Sequence, residues 1–207
     1  DYTRRVNVDL GSPSPRFRKE SGMIEISGVD VSRETFEKLE KFGELVEKWN
    51  PKINLISKSS VGSLWDRHIL DSVQLFEMAN SEGSWVDIGS GGGFPGIVIA
   101  ILRAEQRSDD QVTLVESDQR KCAFLRTAVR ELGLKSKVIS DRIENIPGLN
   151  ADVLSARALA DLSKLLEFSE MHLHANGTAL FPKGANWRIE QEDAQRMWSY
   201  SLEAMTR

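Results

Sequence analysis

Residues 86–96 read Val-Asp-Ile-Gly-Ser-Gly-Gly-Gly-Phe-Pro-Gly. A short apolar run enters this stretch at Trp85, and Ile97-Val98-Ile99-Ala100-Ile101-Leu102 leaves it without one polar residue. The pattern predicts a buried strand over 85–89, a tight turn and a helix over 94–103. Glycines in such a turn let the backbone take positive φ and let a ligand approach with no Cβ in the way. Pro95 suits the first turn of the helix, whose free amides would point back toward that ligand. Gly89, Gly91 and Gly93 alternate, with Gly92 between them. That exceeds what a bare turn needs, so the stretch reads as a ligand-binding loop.

Working outward, short apolar runs alternate with helical patterns. Strands are expected over 112–117, 137–140, 152–156 and 178–183, with helices over 120–132 (ending at Gly133) and 161–172, and helix again from Trp187 onward. Strands with few polar positions, separated by helices, imply a doubly wound α/β unit with a mostly parallel sheet covered on both faces. Upstream the pattern is helical. Ser32 is placed as an N-cap with Glu34 in the first turn, and Phe36, Leu39, Phe42, Val46 and Trp49 follow at helical spacing until Asn50-Pro51 stops the helix. A second helix over 63–78 buries Leu64, Ile69, Val73 and Phe76, and sets Arg67 with Asp71, and His68 with Asp71, on shared faces. Residues 1–30 carry scattered Gly and Pro and read as irregular. The division is therefore an irregular segment over 1–30, a helical extension over 31–80 and a ligand-binding core over 81–207.

Two ligands compete for the glycine loop. Gly91-x-Gly93-x-x-Gly96 matches the dinucleotide pattern, and Glu116 follows Gly96 by about 20 residues, as that pattern asks. Asp87 points elsewhere. A carboxylate two residues before the first glycine can bind the amino-acid portion of S-adenosylmethionine, directly or through water, and has no comparable use beside a pyrophosphate. The spacing Gly89-x-Gly91-x-Gly93, beginning at the strand end, also resembles class I methyltransferases. Glu116, closing the second strand, can accept ribose hydroxyls under either reading.

Composition narrows the setting. The formal net charge is −4, which weighs against tight non-specific binding of free nucleic acid but leaves room for a local contact patch. Basic residues do gather at Arg4, Arg5, Arg16, Arg18 and Lys19, where a solvated, disordered tail is the plainer reading. The single cysteine, Cys122, cannot form an intrachain disulfide. No apolar run reaches the roughly eighteen residues of a membrane span, and no signal-peptide core opens the chain. The expectation is a reduced, cytoplasmic monomer. The chain begins at Asp1 rather than Met, which implies that residues have been removed or left out.

Beyond the loop, a set of motifs resembles the bacterial ribosomal RNA small-subunit methyltransferase G family (glucose-inhibited division protein B). They are Trp49-Asn50-Pro51-Lys52-Ile53-Asn54-Leu55, Arg67-His68-Ile69-Leu70-Asp71-Ser72, Leu114-Val115-Glu116-Ser117, Lys121 with Phe124-Leu125, Asp141-Arg142-Ile143-Glu144, Ser155-Ala156-Arg157-Ala158 and Pro182-Lys183-Gly184. The resemblance implies methyl transfer from S-adenosylmethionine to N7 of a guanine in 16S ribosomal RNA, and the mild acidity of the chain favours a target preformed within the small subunit. From the glycine loop and the strand ends, Asp87, Gly89, Gly91, Gly93, Phe94, Glu116, Ser117, Ile143, Glu144 and Arg157 are the expected cofactor-binding residues. Arg157 and Lys183 are the implied catalytic pair; Asn54, Arg67, His68 and Asp71, on a helical portion placed over the crevice, are the expected substrate contacts. The resemblance also implies seven strands, the last two an antiparallel hairpin. This chain ends at Arg207 about where that hairpin would begin, so an open sheet edge and bare apolar surface around Trp187, Met197, Trp198, Tyr200 and Leu202 are expected.

The chemistry fits these residues. Guanine N7 offers an in-plane lone pair and carries no proton, so methylation needs no general base and depends on positioning and exclusion of water. Arg157 and Lys183 follow the fourth and fifth strands, where ligands of open α/β sheets bind. Cations there can hold guanine O6 or a flanking phosphate. His172 and His174 lack partners at ligand spacing, so no metal is expected. A methyltransferase for a small molecule or protein, and a non-catalytic ribosome-associated module, are the competing readings.

Overall fold

A computed structural model describes residues 5–8, 16–17, 23–79, 83–106 and 111–204. Its centre is a seven-stranded, wholly parallel sheet formed by β1 (Arg5–Val8), β5 (Trp85–Ile88), β6 (Val112–Glu116), β7 (Lys137–Ser140), β8 (Ala151–Ala156), β9 (Leu173–Leu180) and β10 (Ser201–Ala204). The spatial order is β10-β1-β9-β8-β5-β6-β7. From β5 the chain winds out through β6 and β7, then crosses back to β8. The switch point therefore lies between β5 and β8, and a crevice opens beyond their C-terminal ends. β5 is buried at all four positions and β8 at five of six, as expected for strands covered on both faces.

The first helix, α1 (Arg33–Ile53), starts at Ser32, whose Oγ accepts the Thr35 amide at 3.2 Å. It does not stop at Asn50-Pro51. Pro51 forfeits only its own bond one turn back, and its fixed φ is compatible with a helix, so the last turn continues. The helix ends instead at Asn54, which takes a left-handed φ of 48° while its amide bonds Asn50 O. The buried Asn50 side chain then accepts the Ile56 amide at 2.9 Å, fixing the exit loop.

The helix expected over 63–78 is three pieces: a 3-10 turn over Lys58–Ser63, a π-helical turn over Trp65–Leu70, and α2 (Asp71–Ala79). His68, Ile69 and Leu70 are buried in succession along the π turn.

α3 (Gly96–Gln106), α4 (Gln119–Glu131) and α5 (Leu162–His172) flank the sheet. Pro95 stands just before α3 rather than in its first turn, with Gly93 O and Pro95 O accepting the Ile97 and Ile99 amides. Asp118 caps α4 and Asp161 caps α5 with their side chains. One apolar cluster spans α1, α2, α3 and α4 under the sheet, including Phe42, Ile69, Ile97 and Phe124.

Two expectations are corrected at the chain ends. Residues 1–30, read as irregular, contain β1, a short β2 (Arg16–Phe17) and the strands β3 (Ile24–Ile26) and β4 (Val29–Val31). β1 pairs with the distant β9 and β10, which local periodicity does not reveal, whereas β3 and β4 form a local hairpin whose signal, Ser27-Gly28 between Ile24-Glu25-Ile26 and Val29-Asp30-Val31, went unread. Of the basic cluster, Arg5 and Arg16 stand on strands, while Arg4, Arg18 and Lys19 lie outside the described residues. At the other end the expected helix divides into α6 (Trp187–Gln195) and β10. β1 covers the outer edge of β9, which was expected to be open, and β10 pairs in parallel with β1 rather than forming an antiparallel hairpin. Trp198, Tyr200 and Leu202 pack against the core, whereas Met197 stays 72% exposed. Among the described residues no helix is long and apolar enough to cross a membrane.

Candidate active site

Two clefts lie side by side at the C-terminal ends of the sheet. The first, of about 560 Å³, is walled by the glycine loop after β5, by Glu116 and Ser117 after β6, by residues 141–144 after β7, and by Arg157 after β8. The second, of about 570 Å³, holds Asp71, Arg157, Lys183 and Glu190. Residues 157–160 line both, so one short loop is their common wall. Within it Ala158 takes a φ of 52°, strained for a residue with a Cβ.

The glycine loop divides into two jobs. Gly91 has a φ of 53°, and a Cβ there would meet nothing nearer than Gly89 O at 3.7 Å, so its bare face belongs to the first cleft. Gly96 is the opposite case. A Cβ there would strike Leu114 and lie 2.7 Å from Asp87 Oδ2, so this glycine serves packing. Gly93 is likewise packed, against Phe42 and Ile97, and does not line the cleft.

Asp87 was expected to reach the ligand. The structure buries it to 1% exposure behind the loop, and it lines neither cleft. Its Oδ1 accepts the Ser155 hydroxyl at 2.6 Å, and its Oδ2 accepts the Gly96 amide at 3.2 Å. Asp87 therefore ties β5 to β8 and caps the start of α3, using the amide that was expected to face a ligand. Burial pushes its carboxyl up to about 6, against the hydrogen bonds and the Arg157 charge that favour ionisation. Ser155 also accepts from Trp85 Nε1 at 2.9 Å, which completes a buried Trp85–Ser155–Asp87 chain. Sequence reading missed Ser155. Its signal was a small polar residue inside a buried strand.

Glu116 keeps its expected place at the end of β6 and in the first cleft. Its carboxylate accepts the amides of Gly91, Ser117 and Asp118, each at 2.8 Å, so it shapes the loop as well as facing the cleft. Gly89, Phe94, Ser117, Ile143 and Glu144 also line that cleft. So do Leu55 and Ile56, from the loop that Asn50 holds, and Lys121 and Lys164, which were not anticipated as site residues. Asn54 and Arg67 are exposed and line neither cleft. The π turn rotates Arg67 away from the site while turning His68 in. Asp71 opens α2 and lines the second cleft.

His68 and Arg157 meet where the clefts join. Arg157 Nη2 lies against His68 Nδ1, and the imidazole stacks on Phe94 with centroids 5.1 Å apart. Burial first, then the Arg157 and Arg67 charges, lower the His68 pKa to about 4. The ring is therefore neutral at physiological pH, and Nδ1 accepts from the guanidinium. His172 is buried with Nε2 on Ile143 O at 3.1 Å, a core contact. Among the described residues no group of His, Cys, Asp or Glu is placed to hold a metal ion.

A family model described as rRNA small subunit methyltransferase G matches residues 35–206. Curated relatives carry the name Ribosomal RNA small subunit methyltransferase G. One from Ruegeria sp. is 58% identical over 86% of this chain and 87% of its own length. One from Cereibacter sphaeroides is 50% identical over 87% of this chain and 88% of its own, and one from Rhizobium rhizogenes 46% over 86% and 89%. With the motifs of the sequence set around paired strand-end clefts, and a match that runs through all of them, the chain belongs to the rRNA small subunit methyltransferase G family.

Proposed function

We propose that this protein transfers a methyl group from S-adenosylmethionine to N7 of a guanine in 16S ribosomal RNA. The observation that carries the reading is the pair of clefts sharing one wall at the strand ends, the first glycine-lined and the second rich in charge. The first fits the methyl donor. Gly91 offers a face without a Cβ, Glu116 a carboxylate for hydroxyls, and Ile143 an apolar surface for a flat base. When bound, S-adenosylmethionine supplies an electrophilic methyl on a sulfonium.

The second cleft takes the target base. Lys183 and Arg157 hold guanine O6 or a flanking phosphate, both acceptors, and leave N7 unprotonated. Asp71 offers a carboxylate to donors on the opposite base edge. Neutral His68 keeps Arg157 oriented without adding a third cation to Lys183 and Arg157 near the ring that becomes charged. No residue has to remove a proton, so these side chains act by alignment and by excluding water. The protein works as a cytoplasmic monomer on the assembled small subunit, recognising a preformed RNA shape with few local contacts. The net charge of −4 supports that over a broad electrostatic grip on free RNA.

Mass spectrometry of 16S ribosomal RNA from cells with and without the protein tests the reading. A 7-methylguanine present only in the first is expected. Identical RNA in both would overturn it.

A further inference from the structure

Lys183 is already held. Its side chain is 10% exposed, and Nζ donates to Glu190 Oε2 at 2.7 Å and to Ala160 O at 2.8 Å. The same Glu190 oxygen accepts the amide of Leu162 at 2.9 Å. Leu162 opens α5, Glu190 lies in the first turn of α6 and Lys183 follows β9. One carboxylate oxygen thus ties three elements together around the second cleft.

An ammonium carries three N–H bonds. With two on Glu190 and Ala160, one is left, and the cleft that Lys183 lines is where it can find an acceptor. A free lysine would have to surrender side-chain rotamer entropy to be so placed. Glu190 imposes that order before substrate arrives and balances the charge of Lys183 beside Arg157. Through Lys183, which donates to Ala160 O, it also steadies the strained loop between the clefts.

We infer that Glu190 is a positioning residue for methyl transfer, fixing Lys183 so that one N–H faces an acceptor on the RNA. This rests on the reading of Lys183 as an RNA contact. A merely structural Glu190 would pin α6 to α5 and act independently of Lys183.

The test uses the full chain, undermethylated small subunits and labelled methyl donor, with Glu190→Ala, Glu190→Gln, Lys183→Ala and the Glu190→Ala/Lys183→Ala pair. Expected is a kcat loss of roughly ten- to a hundredfold in Glu190→Ala, with S-adenosylhomocysteine affinity kept. Glu190→Gln, whose amide oxygen can still accept, should recover part of it. The double variant should be no slower than Lys183→Ala alone, because both changes remove one function. Full additivity in the double variant, or an unchanged kcat in Glu190→Ala, would overturn the inference. Acetic anhydride labelling read by mass spectrometry needs no RNA and so separates this inference from the proposed reaction. Lys183 should label slowly beside the exposed Lys52, and severalfold faster in both Glu190 variants. Labelling unmoved by either substitution would also overturn it. Should Glu190→Ala fail to fold, Glu190→Gln still reports on both measurements.

Discussion

Asp87 and Ser155 are register partners on the adjacent strands β5 and β8, and the Ser155 hydroxyl donates to Asp87 Oδ1 at 2.6 Å inside the sheet. This contact makes Asp87 a part of the scaffold. It sets the height of the glycine loop by holding Gly96, the first residue of α3, through Oδ2. The first cleft is therefore shaped from behind by a carboxylate that does not line it.

Asp87 and His68 shift in opposite senses, so their effects on stability oppose each other. The Asp87 carboxyl moves from an ordinary 3.8 to about 6, so its contribution is complete below pH 3.8 and is lost as pH rises through 6. His68 falls from 6.5 to about 4, so its contribution is complete above pH 6.5 and is lost as pH falls through 4. Each is worth on the order of 3 kcal/mol, and between pH 4 and 6 they largely cancel. Asp87→Asn should leave stability rising with pH across that window, and His68→Gln should leave it falling. Urea unfolding of both variants at pH 4.5, 5.5 and 6.5 checks the two slopes. Parallel slopes in the two variants would contradict the assignment.

The His68 ring itself can be followed. Burial is the first cause of its low pKa and the Arg157 charge the second. Arg157→Ala should therefore raise the value without returning it to 6.5. Histidine ring resonances titrated by NMR measure this directly. A full return to 6.5 would show that charge, and not burial, sets the state of the imidazole.

Gly91 and Gly96 should respond differently to a side chain. Gly91→Val fills the first cleft from a position with no close neighbour, so S-adenosylhomocysteine binding should disappear. The fold should lose only about 1–2 kcal/mol, for the left-handed backbone. Gly96→Ala drives a methyl into Leu114 and Asp87 and should lower the melting temperature more, by roughly 8 °C or beyond. Calorimetric titration and thermal unfolding of the pair decide between ligand face and packing face.

Arg157 and Lys183 should separate as well. Lys183 lines the second cleft alone, whereas Arg157 lines both. Lys183→Ala should cut methyl transfer at unchanged donor affinity, and Arg157→Ala should lower both. Equal donor affinity in the two variants would show that the shared wall does not touch the donor.

Much of this protein is determined locally and could be read from the chain alone. Apolar runs of strand length, the cap at Ser32 and the glycine loop after β5 all act over a few residues. They settle the order of elements and the end of the sheet where ligands sit. The positions of Glu116, Arg157 and Lys183 follow, because a residue just past a buried strand has one place to go. What only the tertiary structure decides is which distant residues become neighbours. The Ser155 that binds Asp87 is 68 positions away, the Arg157 against His68 is 89 away, and β1 enters the sheet between β9 and β10. Strand pairing and burial depend on the whole fold, and they turn Asp87 from an expected ligand contact into a scaffold and place Glu190 beside Lys183.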